Sequence, residues 1–152
     1  MTTHVQLDIA APPERVFHCI EDFDTRRRWA KGLVEQEILS EGENGPVGTR
    51  FMERIQEGGR LTDYHGEVTA HQRPTNLAVT LGNDHFTMYI DYTLQELPNG
   101  TRLAFTVDTR NHSWMAKLVG FMARRMLNGI AERQMDSLKK LAERLEVEGA
   151  TP

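Results

Sequence analysis

The sequence predicts an α+β fold in which an antiparallel sheet of about seven strands wraps around one long C-terminal helix, with two short helices inserted after the first strand. Three observations carry this expectation. Apolar residues alternate at a period of two near the N-terminus and again, segment after segment, from Leu33 to Arg110. The links between those segments are short, which implies antiparallel neighbours, since a parallel pair needs a crossover of a dozen or more residues. Beyond Arg110 the apolar period changes to steps of three and four.

Taken in order, Val5, Leu7 and Ile9 alternate with His4, Gln6 and Asp8 and mark a strand with one buried face. Pro12-Pro13 suits a helix start, because a proline in the first turn gives up an amide that has no helical acceptor anyway. Val16, Phe17 and Ile20 supply that helix's apolar face. Asp24 is the expected cap of a second short helix that runs through Trp29 and is closed by Lys31-Gly32. Turn-forming groups at Gly42 to Gly45, Gly58-Gly59, Arg73 to Asn76, Gly82 to Asp84 and Pro98-Asn99-Gly100 then separate six strands, near 33–41, 47–56, 60–71, 77–81, 85–97 and 101–110. From about Trp114, the stripe Met115, Leu118, Val119, Met122, Met126, Ile130, Leu138, Leu141 and Leu145 describes one helix. About 30 residues at ~1.5 Å each would span about 45 Å, enough to cross a whole sheet. Gly120 and Gly129 interrupt the stripe, which suits close packing or a bend there.

Composition bounds the function. The 152 residues, 39% hydrophobic and 26% charged, fit one domain, 1–152, with its core in 4–146. A chain of this size buries about 68–70% of its unfolded surface, so an internal ligand site needs no disulfide staple. Cys19 stands alone, which excludes an intramolecular disulfide and fits a reducing, cytoplasmic setting. Met1 to Ala10 lacks the continuous apolar run of a signal peptide or membrane span, so neither is expected. A net charge of -4 argues against nucleic acid as a partner, and the clusters Arg26-Arg27-Arg28 and Arg124-Arg125 read as solvated helix faces. The histidines are scattered, without a metal-binding pair, and no glycine-rich phosphate loop occurs, so no metal and no cofactor is expected.

Several short segments carry a family resemblance: Ala11-Pro12-Pro13-Glu14-Arg15-Val16-Phe17 entering the first helix, Asp22 to Trp29 with its tryptophan, Val47-Gly48-Thr49-Arg50-Phe51, Glu67-Val68-Thr69 ahead of Arg73-Pro74, and the hairpin Pro98-Asn99-Gly100-Thr101-Arg102-Leu103. Over roughly residues 4–146 the chain resembles the helix-grip fold of the START and birch-pollen-allergen superfamily, SRPBCC, and within it the polyketide cyclase/dehydrase branch. The resemblance implies a ligand cavity between the curved sheet and the long helix. It does not imply a reaction, because the matching segments are turn, cap and core signals.

Strand phase selects the residues that face such a cavity, since a shift of one residue reverses every side chain. Counting apolar residues assigns Phe86, Met88, Ile90, Tyr92 and Leu94 to an inner face, with Leu103, Phe105 and Val107 beside them and Asp91, Arg102 and Asp108 turned to water. The same count points Val34, Gln36 and Ile38 inward, with Val47, Thr49, Phe51, Glu53 and Ile55 on the next strand. Tyr64, Gly66, Val68 and Ala70 form the inner phase of their strand, which leaves Asp63, His65 and Glu67 as a solvated outer row at steps of about 7 Å.

The expected ligand-contacting set is Trp29, Gln36, Phe51, Glu53, Tyr64, Phe86, Met88, Tyr92, Met115, Met122 and Met126, around a cavity of about 300–1,000 Å³. Glu53 is a candidate general acid or base, because desolvation raises a carboxylate's pKa; pairing with an arginine such as Arg54 or Arg50 would instead make it structural. Tyr64 is the other candidate proton carrier, and either it or Tyr92 would serve equally as an ordinary core tyrosine. Trp29 suits either the cavity entrance or a packing anchor, and the adaptable methionines either a ligand surface or plain core.

Three functions follow. The first is a binding module for a hydrophobic or aromatic, lipid- or polyketide-like small molecule. The second is a polyketide aromatase/cyclase- or dehydrase-type enzyme that uses a cavity acid or base. The third is a protein-interaction module, whose sign would be an exposed apolar patch beyond a few hundred Å².

Overall fold

The computed structural model describes the backbone of residues 2–111 and 114–149 and the side chains of residues 2–111 and 128–149. The chain runs β1 (Thr2–Ile9), α1 (Pro13–Glu21), α2 (Phe23–Arg26), β2 (Leu33–Ser40), β3 (Arg50–Glu57), β4 (Arg60–Gln72), β5 (Asn76–Gly82), β6 (Phe86–Leu97), β7 (Gly100–Asn111) and α3 (Trp114–Val147). All seven strands form one antiparallel sheet in the order β1-β7-β6-β5-β4-β3-β2. Consecutive strands from β2 to β7 are neighbours, as the short turns require. The exception is β1, which pairs with β7 at the far edge. The segment holding α1 and α2 therefore carries the chain from one edge of the sheet to the other.

The expected α+β architecture is the observed one, and most strand limits agree within a residue or two. Two local readings change. The cap of α2 is Asp22, not Asp24: Asp22 is extended (φ -76°, ψ 122°), so its carboxylate accepts from the Thr25 amide at 3.0 Å and the Thr25 hydroxyl at 2.7 Å. Asp24 already lies inside the helix. Regular α2 also stops at Arg26, and the chain continues to Ala30 through tighter turns, with Arg28 and Trp29 amides donating to Thr25 and Arg26 carbonyls.

The buried face of the C-terminal half of α3 is Ala131, Met135, Leu138, Leu141, Ala142 and Leu145, at steps of three and four. It packs with Val16, Phe17, Cys19 and Ile20 of α1 and with Ile9, Leu94, Leu103 and Phe105 of the strands. Ile130, expected on this stripe, is 37% exposed because it lies one step of the helix, about 100°, away from Ala131. Polar ties close the same end. Arg15 Nε donates to Glu146 at 3.2 Å, the Ala10 amide to Glu143 at 2.8 Å, and the buried Thr101 hydroxyl to the Ala11 carbonyl at 2.7 Å.

Among the described residues, Gly129 shows no close packing that would require a helical glycine. Among the described residues, a Cβ there would meet only the tip of the Arg133 guanidinium, at 3.3 Å, a flexible group free to swing away. Gly129→Ala is therefore expected to stabilise the protein by about 1 kcal/mol, the helix-propensity difference, and to raise Tm by about 2–4 °C. A thermal melt showing a lower Tm would mean that this turn of α3 is packed more closely than its geometry shows.

Strand β2 is the edge next to β3 and carries bulges between Leu33 and Glu35 and between Ile38 and Ser40. The bulges interrupt the alternation. Val34 and Ile38, expected to point into the core, are accordingly 42% and 51% exposed, while Gln36 keeps the inward phase. Val47 lies before β3 and is exposed as well. On the outer face, Arg54 bonds both Asp63 and Glu35, Arg50 bonds Glu67, and Arg102 bonds Asp8. Asp63, His65 and Glu67 thus form the solvated row that their alternation predicts. The Arg54 guanidinium holds the Asp63 carboxyl below its ordinary range.

Candidate ligand-binding site

The inner face of β3 to β6 carries an apolar cluster set apart from the α1–α3 core. Phe51, Tyr64 and Leu81 are buried in it, with Ile55, Val79, Phe86 and Met88 partly buried around them; Val68 and Ile90 touch both clusters. Register explains the grouping, since Phe51 opposes Gly66, Gly66 opposes Leu81, and Leu81 opposes Met88. Gly66 leaves the space that the Phe51 ring fills: a Cβ there would lie 2.6 Å from the ring and 2.3 Å from the Thr80 carbonyl oxygen. The Tyr64 and Phe86 rings meet at 5.9 Å, and those of Tyr92 and Phe105 at 5.0 Å.

Into this apolar surface the sheet brings a charged group. Glu53, inward on β3 and 5% exposed, accepts from Gln36 Nε2 at 3.1 Å and pairs with Nη2 of Arg26, whose side chain is 16% exposed. Gln36 and Glu53 are register partners across β2 and β3, so their side chains share the inner face. The arginine partner differs from expectation. Arg50 and Arg54 sit on the outer face with acids of their own, and the pairing comes instead from α2. Arg26 consequently does not belong to a solvated helix face, although Arg27 and Arg28 beside it are exposed. The signal lay in the helical period: Phe23, Trp29 and Ala30, three and four residues away, place Arg26 on the inward side of its turn.

The Nε of Arg26 is buried without a hydrogen-bond partner among the described residues. Burial works against its charge. Tyr92 is pushed up to about 12 by burial, partly offset by Arg26, and so keeps its proton at neutral pH.

The other expected site residues distribute unevenly. Tyr64 is inward, but its hydroxyl donates to Glu57 Oε1 at 2.7 Å, and burial together with that carboxylate raises its pKa strongly. Trp29 is buried in the α1–α3 core and donates its indole N–H to the Cys19 carbonyl at 2.7 Å, which makes it the packing anchor of the helix pair. Its donor is no longer open to a ligand. The Cys19 thiol is raised to about 11 by burial and stays protonated. Met115, Met122 and Met126 lie outside the described side chains; Met135, 1% exposed, is core.

Elsewhere, two shallow grooves of about 360 and 390 Å³ flank the Pro98-Asn99-Gly100 hairpin, on the outside of the α3 C-terminal half. Lys139 and Glu143 in the first are already bonded to each other. The exposed Val34, Ile38 and Leu39 on β2 are interspersed with Glu35 and Glu37. Among the described residues no group of three histidine, cysteine or acidic side chains is placed to hold a metal ion, and no helix is long and apolar enough to cross a membrane.

The family described as polyketide cyclase / dehydrase and lipid transport matches residues 2–143. No curated protein matches the chain by sequence. Solved structures share the fold throughout. TTHA0849 from Thermus thermophilus superposes with a TM-score of 0.72 at 17% identity, covering 99% of this chain and 100% of its own. MLL2253 from Mesorhizobium loti gives 0.70 at 20% identity over 95% and 98%. Ara h 8.0201, a birch-pollen-allergen-like protein, gives 0.67 at 14% identity over 91% and 97%. The arrangement is the helix-grip fold.

Proposed function

We propose, for a chain that belongs to the polyketide cyclase / dehydrase and lipid transport family, that it binds a hydrophobic or aromatic small molecule between the inner face of its sheet and the N-terminal half of α3. The observation that carries this reading is the second apolar cluster, Phe51, Tyr64 and Leu81 with half-buried Phe86 and Met88. It lies on the inner face yet outside the core that the C-terminal half of α3 seals. The sequence of the other half of α3 carries Met115, Met122 and Met126, unbranched, polarizable residues of the kind that suits a ligand surface.

Binding without turnover is favoured over aromatase/cyclase chemistry. Both expected proton carriers are engaged, Glu53 by Arg26 and Gln36, and Tyr64 by Glu57. Tyr64 would have to break its bond to Glu57 to give up its proton, and the Glu53 carboxylate is held through Oε2 by Arg26 and Gln36.

Titration with the neutral fluorophore N-phenyl-1-naphthylamine tests the reading. The protein is expected to enhance its emission saturably, and Met122→Trp to weaken binding about tenfold by filling the site. The folding cost of that variant should stay within the roughly 1–3 kcal/mol of overpacking if the space is real. Unchanged binding in the variant, or no saturable binding at all, rejects the cavity. Native mass spectrometry of protein from its own source, followed by organic extraction, then identifies the occupant.

A further inference from the structure

We infer that the Arg26–Glu53 pair is the polar anchor of the cavity and selects ligands carrying a neutral acceptor oxygen, a ketone or similar carbonyl, over both hydrocarbons and carboxylates. The inference rests on the cavity reading above and deepens it. Arg26 reaches the inner face from α2, Glu53 from β3 and Gln36 from β2, so three elements converge on one buried polar point in an otherwise apolar surface.

The donor count of that point sets the ligand chemistry. Nη2 forms the ion pair with Glu53, and neither it nor Nε, both buried, has a hydrogen-bond partner among the described residues; Nε faces no carboxylate of its own. A buried, unpartnered N–H is unfavourable until something accepts from it, and an oxygen on the ligand is such an acceptor. Hydrocarbons have none to offer. A carboxylate has one, but it would bring a second negative charge beside Glu53, whose own charge already neutralises Arg26, and like charges repel strongly where water is excluded. A neutral carbonyl satisfies the donor without adding charge. The Tyr92 phenol, on the inner phase of β6, keeps its proton and supplies a second donor on the same face.

Three probes of nearly one shape separate the possibilities: 2-acetylnaphthalene, 2-isopropylnaphthalene and 2-naphthoate, each displacing N-phenyl-1-naphthylamine from the full chain. The ketone is expected to bind at least about tenfold more tightly than either competitor, the discrimination of one hydrogen bond to a charged donor. In Arg26→Met/Glu53→Gln, which removes donor and carboxylate charge together, the ketone-to-hydrocarbon ratio is expected to fall to about one. Arg26→Lys keeps a cation for Glu53 but removes the Nε donor, so it should lower the ratio too and serves if the double variant does not fold. If the wild type binds the fluorophore but shows no preference for the ketone, or prefers naphthoate, the anchor is wrong and the cavity stands. A preference that survives Arg26→Lys also rejects the anchor. Failure of the wild type to bind the fluorophore rejects both.

Discussion

Glu53→Ala is expected to destabilise the protein by about 3 kcal/mol, the lower end of the range for removing one partner of a buried ion pair, because the Arg26 side chain is 16% rather than fully unexposed. The loss comes less from the missing attraction than from the guanidinium left behind. It would remain desolvated on the inner face, where burial already works against its charge. Arg26→Met/Glu53→Gln should therefore recover most of the loss, since a neutral pair of similar volume leaves no charge unbalanced. Urea denaturation of the two variants decides it, with Asp136→Ala as a control: its partner Lys140 is 76% exposed, and an exposed pair of that kind contributes about 0–1 kcal/mol. A Glu53→Ala loss no larger than the control's would show that water reaches the pair and would remove the basis for treating it as a cavity anchor.

Gly66→Ala is expected to cost about 3 kcal/mol, the upper end of overpacking, although it adds one methyl group to a strand. That methyl would sit 2.3 Å from the Thr80 carbonyl oxygen and 2.6 Å from the Phe51 ring. A ring can turn away, but a carbonyl inside a sheet ladder cannot move without disturbing its own strand. Phe51→Leu in the same chain should relieve only part of the cost, and a double-mutant cycle separates the two contacts. Gly59→Ala, where a Cβ meets nothing within 4 Å, is the matched control and should lie within about 0.5 kcal/mol of wild type. Full rescue by Phe51→Leu would place the whole constraint in the ring and none in the backbone.

The two positions also mark where reading the chain succeeded and where it failed. Gly66 was legible as part of an inner phase, between Tyr64 and Val68, because alternation is local and every second residue of a strand shares a face. Its role as the seat of Phe51 was not, since that depends on a register 15 residues away in the chain. Glu53 was legible as an inward acid by the same alternation. The sequence points to Arg50 and Arg54, the arginines nearest to Glu53, yet both lie on its own strand, face outward and bind Glu67, Asp63 and Glu35. The true partner required knowing that the α1–α2 segment crosses from one sheet edge to the other and so brings Arg26 over β3.

What the sequence determined by itself is the succession of elements: alternating strands with short turns, a proline-started helix, a long stripe of three- and four-residue steps, and from these an antiparallel sheet with one long helix. Each is written in residues a few positions apart, within reach of one another in any conformation of the chain. The tertiary structure alone decided that β1 closes on β7, that bulges in β2 turn Val34 and Ile38 outward, that the Trp29 indole is spent on the Cys19 carbonyl, and that Arg26 is buried against Glu53. The last two share a physical reason. A charge or a polar donor enters an apolar interior only where a partner from a distant segment meets it there, and that meeting is a property of the packed sheet and helices rather than of either residue's neighbours in the chain.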